Sequence, residues 1–148
     1  HLSQSGAGLM ITASRRTPPA LMGAIDAATR GAPRVLWTGS GENPYAQFLA
    51  HAGAFLVTAD SVNMAGEAAA TGKPVHVFHP SGGSAKFDRL HAALEGKGIT
   101  RRILGDTMDL AEWTYPPLDA AREIANEIER RWSKRARLIP GLCNPGPR

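Results

Sequence analysis

Val57-Thr-Ala-Asp60-Ser61-Val-Asn63-Met64-Ala-Gly-Glu67-Ala-Ala-Ala-Thr-Gly72-Lys73-Pro74 is the stretch that decides the fold. It contains the end of a buried strand, a tight polar turn, an amphipathic helix with one carboxylate on its buried side, and a Gly-Lys-Pro stop before the next strand. A junction of this kind sets a helix N-terminus beside the turn. Its first N–H groups lack intrahelical partners and its dipole favours an anion, the arrangement that holds phosphates.

The same unit recurs on either side. Residues 8–13 form a short apolar run, and Thr17 as cap with Pro18 or Pro19 in the first turn predicts a helix to about residue 30. A strand over 34–38 and a helix over 44–51 capped by Asn43 follow. The nearly all-apolar segment 53–58 suits a strand covered on both faces. Beyond the opening stretch come a strand over 74–78, a helix over 84–97 with Phe87, Leu90, His91 and Leu94 at helical spacing, and a short strand over 99–104. A long helix over 118–135 is expected to turn Ile124 and Ile128 inward. Strands alternating with helices specify an α/β class: a Rossmann-like three-layer α/β/α domain with a parallel sheet and a long C-terminal helix. The expected division is a nucleotide-binding domain over 1–115, the helix over 116–136 and a tail over 137–148. No internal repeat is visible.

Ligands of such sheets bind outside the carboxyl ends of the strands. The strand-to-helix turns carry Ser14, Arg15, Arg16 and Thr17; Ser40, Glu42 and Asn43; Asp60, Ser61 and Asn63; and His79, Ser81, Gly82, Gly83, Ser84 and Lys86. Together they make a rim suited to a polyanionic, hydroxyl-rich ligand. Adjacent arginines in the first turn favour anion binding over simple capping. Gly39-Ser-Gly lacks the third glycine of the dinucleotide fingerprint, so Asn43 and Pro44 are read as cap and first turn. Glu67, taken alone, is a favourable acid near a helix N-terminus; its functional alternative is a carboxylate that accepts two ribose hydroxyls.

Composition narrows the function classes. With 43% hydrophobic and 20% charged residues in 148, the chain has the balance of a folded domain. Cys143 is its single cysteine, so no internal disulfide can form; a cytoplasmic setting is expected. No apolar run approaches the ~20 residues of a membrane span. The chain begins at His1 without a Met or a signal peptide and is expected to be a fragment or a processed form. The net charge of +4 and pI of about 9.7 raise nucleic acid as a partner, but Arg130, Arg131, Lys134, Arg135 and Arg137 crowd one helix end. That distribution is read as a solvated helix terminus, with anionic lipid at the inner membrane or a missing domain as the alternative, and no nucleic acid is expected. His76, His79 and His91 match no metal-ligand spacing. No metal, no cofactor and no nucleophile elbow are expected.

The segment Asp60 to Ala68, with Gly72-Lys73-Pro74, resembles the donor-nucleotide motif of GT-B glycosyltransferases, the peptidoglycan N-acetylglucosaminyltransferase type included. Ile11-Thr-Ala-Ser-Arg-Arg-Thr-Pro18, Gly41-Glu-Asn-Pro-Tyr45, Thr58-Ala-Asp-Ser61, Pro74-Val-His-Val77 and Phe87 onwards resemble, more narrowly, bacterial relatives of the plant elongated-mitochondria (mitochondrial fission) family. That family has also been labelled predicted nucleoside-diphosphate-sugar epimerase. The resemblance runs from about residue 10 to 131. It implies the C-terminal half of a GT-B fold binding a nucleoside-diphosphate sugar as donor. Glu67 would take the ribose hydroxyls, while Ser61, Val62, Asn63 and Met64 hold the diphosphate, closed over by Ser14 and Arg15. Residues 81–86, Ser81 to Lys86, would face the sugar, and a missing N-terminal domain would bind the acceptor. Met64 stands where many such motifs have Ser or Thr, and Lys86-Phe87 where the peptidoglycan enzyme has paired glutamines. A nicotinamide-dependent epimerase is disfavoured by the absent Gly-x-Gly-x-x-Gly and Tyr-x-x-x-Lys. The alternative to a glycosyltransferase half is a non-catalytic interaction module with a basic contact helix.

Overall fold

A computed structural model describes residues 6–14, 17–104 and 112–136. Arg15, Arg16, Arg137 and Cys143 lie outside the described residues. The chain forms two compact units, His1–Pro117 and Leu118–Arg148. In the first, strands and helices alternate as β1 (Leu9–Thr12), α1 (Pro19–Thr29), β2 (Arg34–Trp37), α2 (Tyr45–His51), β3 (Phe55–Thr58), α3 (Val62–Ala69), β4 (Val75–Phe78), α4 (Ala85–Gly96) and β5 (Thr100–Arg102). The second holds α5 (Ala120–Ala136).

The pairings β1–β2, β3–β4 and β4–β5 are all parallel, which gives the Rossmann-like α/β class expected from the alternation. The backbone bonds form two ladders rather than one continuous sheet: β1 with β2, and β3–β4–β5 in that order. In register, Leu9 faces Arg34, Phe55 faces Val75, and Val75 faces Thr100. Parallel pairing sets the turns after β1 and β2 at one end of their ladder, and those after β3 and β4 at one end of theirs.

The core centres on β4 and α3. Val75 and Val77 are fully buried, as are Ala65, Ala68 and Ala69, whose methyl groups let α3 approach β3 and β4 closely. Burying each valine contributes about 1.5–3 kcal/mol. Helix α4 adds His91 and Leu94 and ends in a Schellman motif, with Ile99 N–H bonded to Leu94 C=O and Gly98 N–H to Glu95 C=O. Arg34 ties β2 to α1, donating to the Asp26 carbonyl (2.8 Å), the Thr29 hydroxyl (2.6 Å) and the Asp26 carboxylate (2.5 Å). Arg30 and Arg34 together hold the Asp26 carboxyl below its ordinary pKa.

Residues 112–117 form a strap across β4 and β5. The Trp113 ring meets the His76 ring edge-on at 5.0 Å and lies under the Arg101 guanidinium at 4.1 Å. Tyr115 donates its phenol proton to Lys73 C=O at 2.6 Å. The Pro117 ring lies 3.1 Å from where a Cβ on Gly72 would stand.

Three expectations change. The β3 strand is not covered on both faces, since Leu56 is 51% exposed while Val57 is buried. Ile124 and Ile128 do not point into a core; both are 61% exposed and share a stripe with Trp132. Helical period puts them on one face, and burial would need another element over it. Glu67 is likewise exposed on α3 rather than set on its buried side, which belongs to the small Ala65, Ala68 and Ala69. Among the described residues, no helix is long and apolar enough to cross a membrane.

Candidate functional site

The turn between β3 and α3 is built from backbone. Ser61 donates its N–H to Thr58 C=O (2.9 Å) and accepts Ala65 N–H (3.0 Å), which starts the helix. The Ser61 side chain makes no cap bond although the residue is only 8% exposed. The N–H groups of Val62, Asn63 and Met64 therefore head a helix to which its N-cap side chain, Ser61, makes no bond. Asp60 and Asn63 are exposed, and Val62 and Met64 are half-buried.

Behind this turn stand two histidines. The buried His91 ring on α4 bonds through Nε2 to Ala59 C=O at 2.8 Å, which fixes the residue just before Asp60. The His79 ring, at the end of β4, packs edge-on against His91 with centroids 5.3 Å apart. Burial, then the Arg102 charge and then His91 depress the His79 pKa. The turns after β3 and β4 thus meet through this pair. Ser81, Ser84 and Lys86 are exposed in the loop and first turn that follow. Among the described residues no cluster of three or more His, Cys, Asp or Glu could hold a metal.

Glu67 has a partner that its sequence neighbourhood does not announce. The Tyr45 phenol at the start of α2 donates to Glu67 Oε2 at 2.6 Å across 22 residues. Desolvation first, and then the bond and charge of Glu67, raise the Tyr45 pKa far above its ordinary value, so the phenol stays a donor. Asn43 Oδ1 in turn accepts Tyr45 N–H at 3.0 Å, but the N-cap of α2 is Pro44, so Asn43 serves the first N–H from one position outside the cap expected of it. Ser40 is exposed, and its carbonyl accepts the Trp37 indole N–H at 2.9 Å.

In the first turn, Ser14 and Thr17 engage each other. Ser14 N–H donates to Thr17 Oγ1 (3.0 Å), Thr17 N–H donates to Ser14 C=O (3.0 Å), and the two hydroxyls are 3.2 Å apart. Thr17 therefore closes a turn rather than capping α1, which begins at Pro19 behind Pro18 with no side-chain cap. A proline at the first position needs no N–H acceptor, which removes the demand that a threonine cap would meet. The structure brings together Asp60 to Met64, His79 and, through Tyr45, Glu67 and Asn43. Tyr45 and His91 were missed as site residues. His91 carried only the signal of helical spacing, and Tyr45 only its place at the end of the Gly41 to Tyr45 segment.

A family model described as mitochondrial fission ELM1 matches residues 1–132. The chain is similar to the mitochondrial fission protein ELM1 of Arabidopsis thaliana, 36% identical over 126 residues that cover 84% of this chain and 30% of that protein. It is also similar to an uncharacterised protein of Rickettsia prowazekii, 34% identical over 124 residues covering 80% of this chain and 35% of the relative. The chain spans about a third of the length of these curated relatives. No solved structure matches. The chain belongs to the mitochondrial fission ELM1 family.

Proposed function

We propose that this member of the mitochondrial fission ELM1 family binds a nucleoside diphosphate at the carboxyl rim of β3 and β4, as the donor-binding half of a GT-B-type, nucleotide-sugar-dependent glycosyltransferase. One observation carries the reading: the Ser61 side chain leaves the start of α3 unbonded, and the same helix holds a tethered carboxylate further along. From Val62 to Glu67 the helix axis advances about 7.5 Å, a span suited to a diphosphate at the N-terminus and a ribose diol at the carboxylate. Charge on the departing diphosphate would be stabilised by the N–H groups of the α3 turn with Arg15 and Arg16, not by a metal. Ser14, Thr17, Ser40, Ser81 and Lys86 would complete the phosphate and sugar side. The acceptor domain belongs to the remainder of a longer protein, so the chain alone binds nucleotide and turns nothing over.

Titration of the chain with UDP, GDP and ADP, followed by backbone amide shifts, tests this. Shifts centred on residues 60–64 and 79–86, lost in Glu67→Ala, are the expected result. Unmoved amides in these turns with all three nucleotides would sink the proposal.

A second reading rests on α5. Ile124, Ile128 and Trp132 form an exposed stripe at i, i+4 and i+8, with Arg130, Arg131, Lys134 and Arg135 in the last turns. Glu127 engages two of these arginines, which hold its carboxyl down at about 2. Such a helix suits a non-catalytic module that lies on an anionic lipid surface, peripheral to the inner membrane. Co-sedimentation with vesicles rich in phosphatidylglycerol, reduced at high salt and absent with phosphatidylcholine alone, is expected on this reading. Equal recovery in the supernatant with both vesicles would exclude it.

A further inference from the structure

We infer that Tyr45 is a positioning residue that makes the candidate site selective for nucleotides bearing a ribose 2′-hydroxyl. The inference rests on the nucleotide reading proposed above. An exposed glutamate on a helix samples many rotamers, and ordering it on ligand binding costs side-chain entropy. Tyr45 removes much of that cost in advance. Its phenol donates to Glu67 Oε2 at 2.6 Å, within the range of strong bonds to an ionised acceptor. The tyrosine is itself anchored, half-buried and with its N–H bonded to Asn43 Oδ1, so a chain of Asn43, Tyr45 and Glu67 links the turn after β2 to the middle of α3.

A carboxylate offers about four lone-pair sites, and Tyr45 uses one on Oε2. Oε1 and the second site on Oε2 remain for the two hydroxyls of a cis-diol. A 2′-deoxyribose supplies one donor where the held carboxylate presents two acceptors. Losing a hydrogen bond to a charged group corresponds to a preference of roughly tenfold or more for the ribonucleotide. With Tyr45→Phe the carboxylate is free to turn and satisfy itself with the single hydroxyl of a 2′-deoxyribose, so the preference should fall by about three- to tenfold.

The experiment measures Kd by calorimetry for UDP, GDP and ADP and their 2′-deoxy counterparts, on the 148-residue chain and on Tyr45→Phe, with circular dichroism of each protein. The expected result is a ribo-over-deoxy ratio near ten or above in the chain as it stands, and a ratio approaching one in Tyr45→Phe. Tyr45→Lys, which restores a donor of similar reach, should keep the ratio even if its charge tightens both ligands, and it carries the comparison if Tyr45→Phe does not fold. A purely structural tyrosine would weaken both ligand series together and leave the ratio alone. An unchanged ratio in Tyr45→Phe, or a ratio lost in Tyr45→Lys, overturns the inference while the nucleotide reading stands. Equal binding of ribo and deoxy ligands by the unaltered chain overturns it too, along with the ribose role of Glu67. Failure of every nucleotide to bind removes both.

Discussion

Gly72→Ala tests whether the strap of residues 112–117 is pressed onto the unit that carries the site. Gly72 sits at φ +75°, and a Cβ there would lie 3.1 Å from Pro117 Cγ, 3.6 Å from Pro117 Cδ and 3.6 Å from Tyr115 O. Two costs follow. The left-handed backbone disfavours an L side chain by about 1–2 kcal/mol. That is partly offset by about 0.4–1 kcal/mol, because alanine also restricts the unfolded chain. The second cost is the contact. The nearest atom belongs to a proline ring in a segment bound through Tyr115 to Lys73 C=O, so it cannot swing away as a flexible side-chain end would. Moving it by a few tenths of an ångström costs about 1 kcal/mol or more, the lower end of overpacking.

Gly98 provides the control. It has nearly the same backbone, φ +69°, with nothing within 4 Å of a Cβ. Gly98→Ala should therefore lose about 1 kcal/mol and Gly72→Ala about 2–3 kcal/mol. The melting temperature should drop by roughly 3–5 °C per kcal/mol in a chain of this size. Urea unfolding followed by far-UV ellipticity reads the difference, and Pro117→Ala in the Gly72→Ala background should recover the contact part alone. Equal losses for the two glycines, within about 0.5 kcal/mol, would show that the strap does not press on the turn.

Tyr115→Phe removes a buried O–H donor from Lys73 C=O and should cost about 1 kcal/mol by the same urea assay, with no effect on nucleotide affinity. For His79 the sign follows from its depressed pKa: between its folded value and 6.5 the unfolded chain binds more protons than the folded one. Its contribution to stability is complete above about pH 6.5 and is lost as the pH falls through the folded value. Melting temperatures from pH 7.5 to 5 should decline more steeply in the unaltered chain than in His79→Gln; parallel curves would refute the assignment.

The order and type of the elements were legible because their signals are local. Pro18-Pro19 opens a helix, Gly98 closes one, and the apolar run before Asp60 is a strand, each by chemistry within a few residues. What covers each face was not legible. Leu56 and the pair Ile124 and Ile128 follow the right periods, yet a period says which residues share a face and nothing about a partner for it. Glu67 went the other way: its helix was correctly placed, but its side depended on which face the three alanines took. The bond from Tyr45 joins residues 22 apart on different helices, where no spacing rule applies. The rim turns at Asp60 and His79 could be named from their positions after strands. The His91 bond to Ala59 that ties them needs the fold in hand.

The apolar residues on outward strand positions have a practical consequence. Met10 and Val35 stand opposite each other in register, and Leu56 and Phe78 occupy the neighbouring ladder, all of them open to water. Solvatochromic dyes that brighten on oily surfaces should bind this chain while it is fully folded. A dye-based melt would begin bright and rise little, imitating a partly unfolded sample. Ellipticity or amide shifts carry no such background. They are the readouts by which a nucleotide's effect on the folded chain can be recognised.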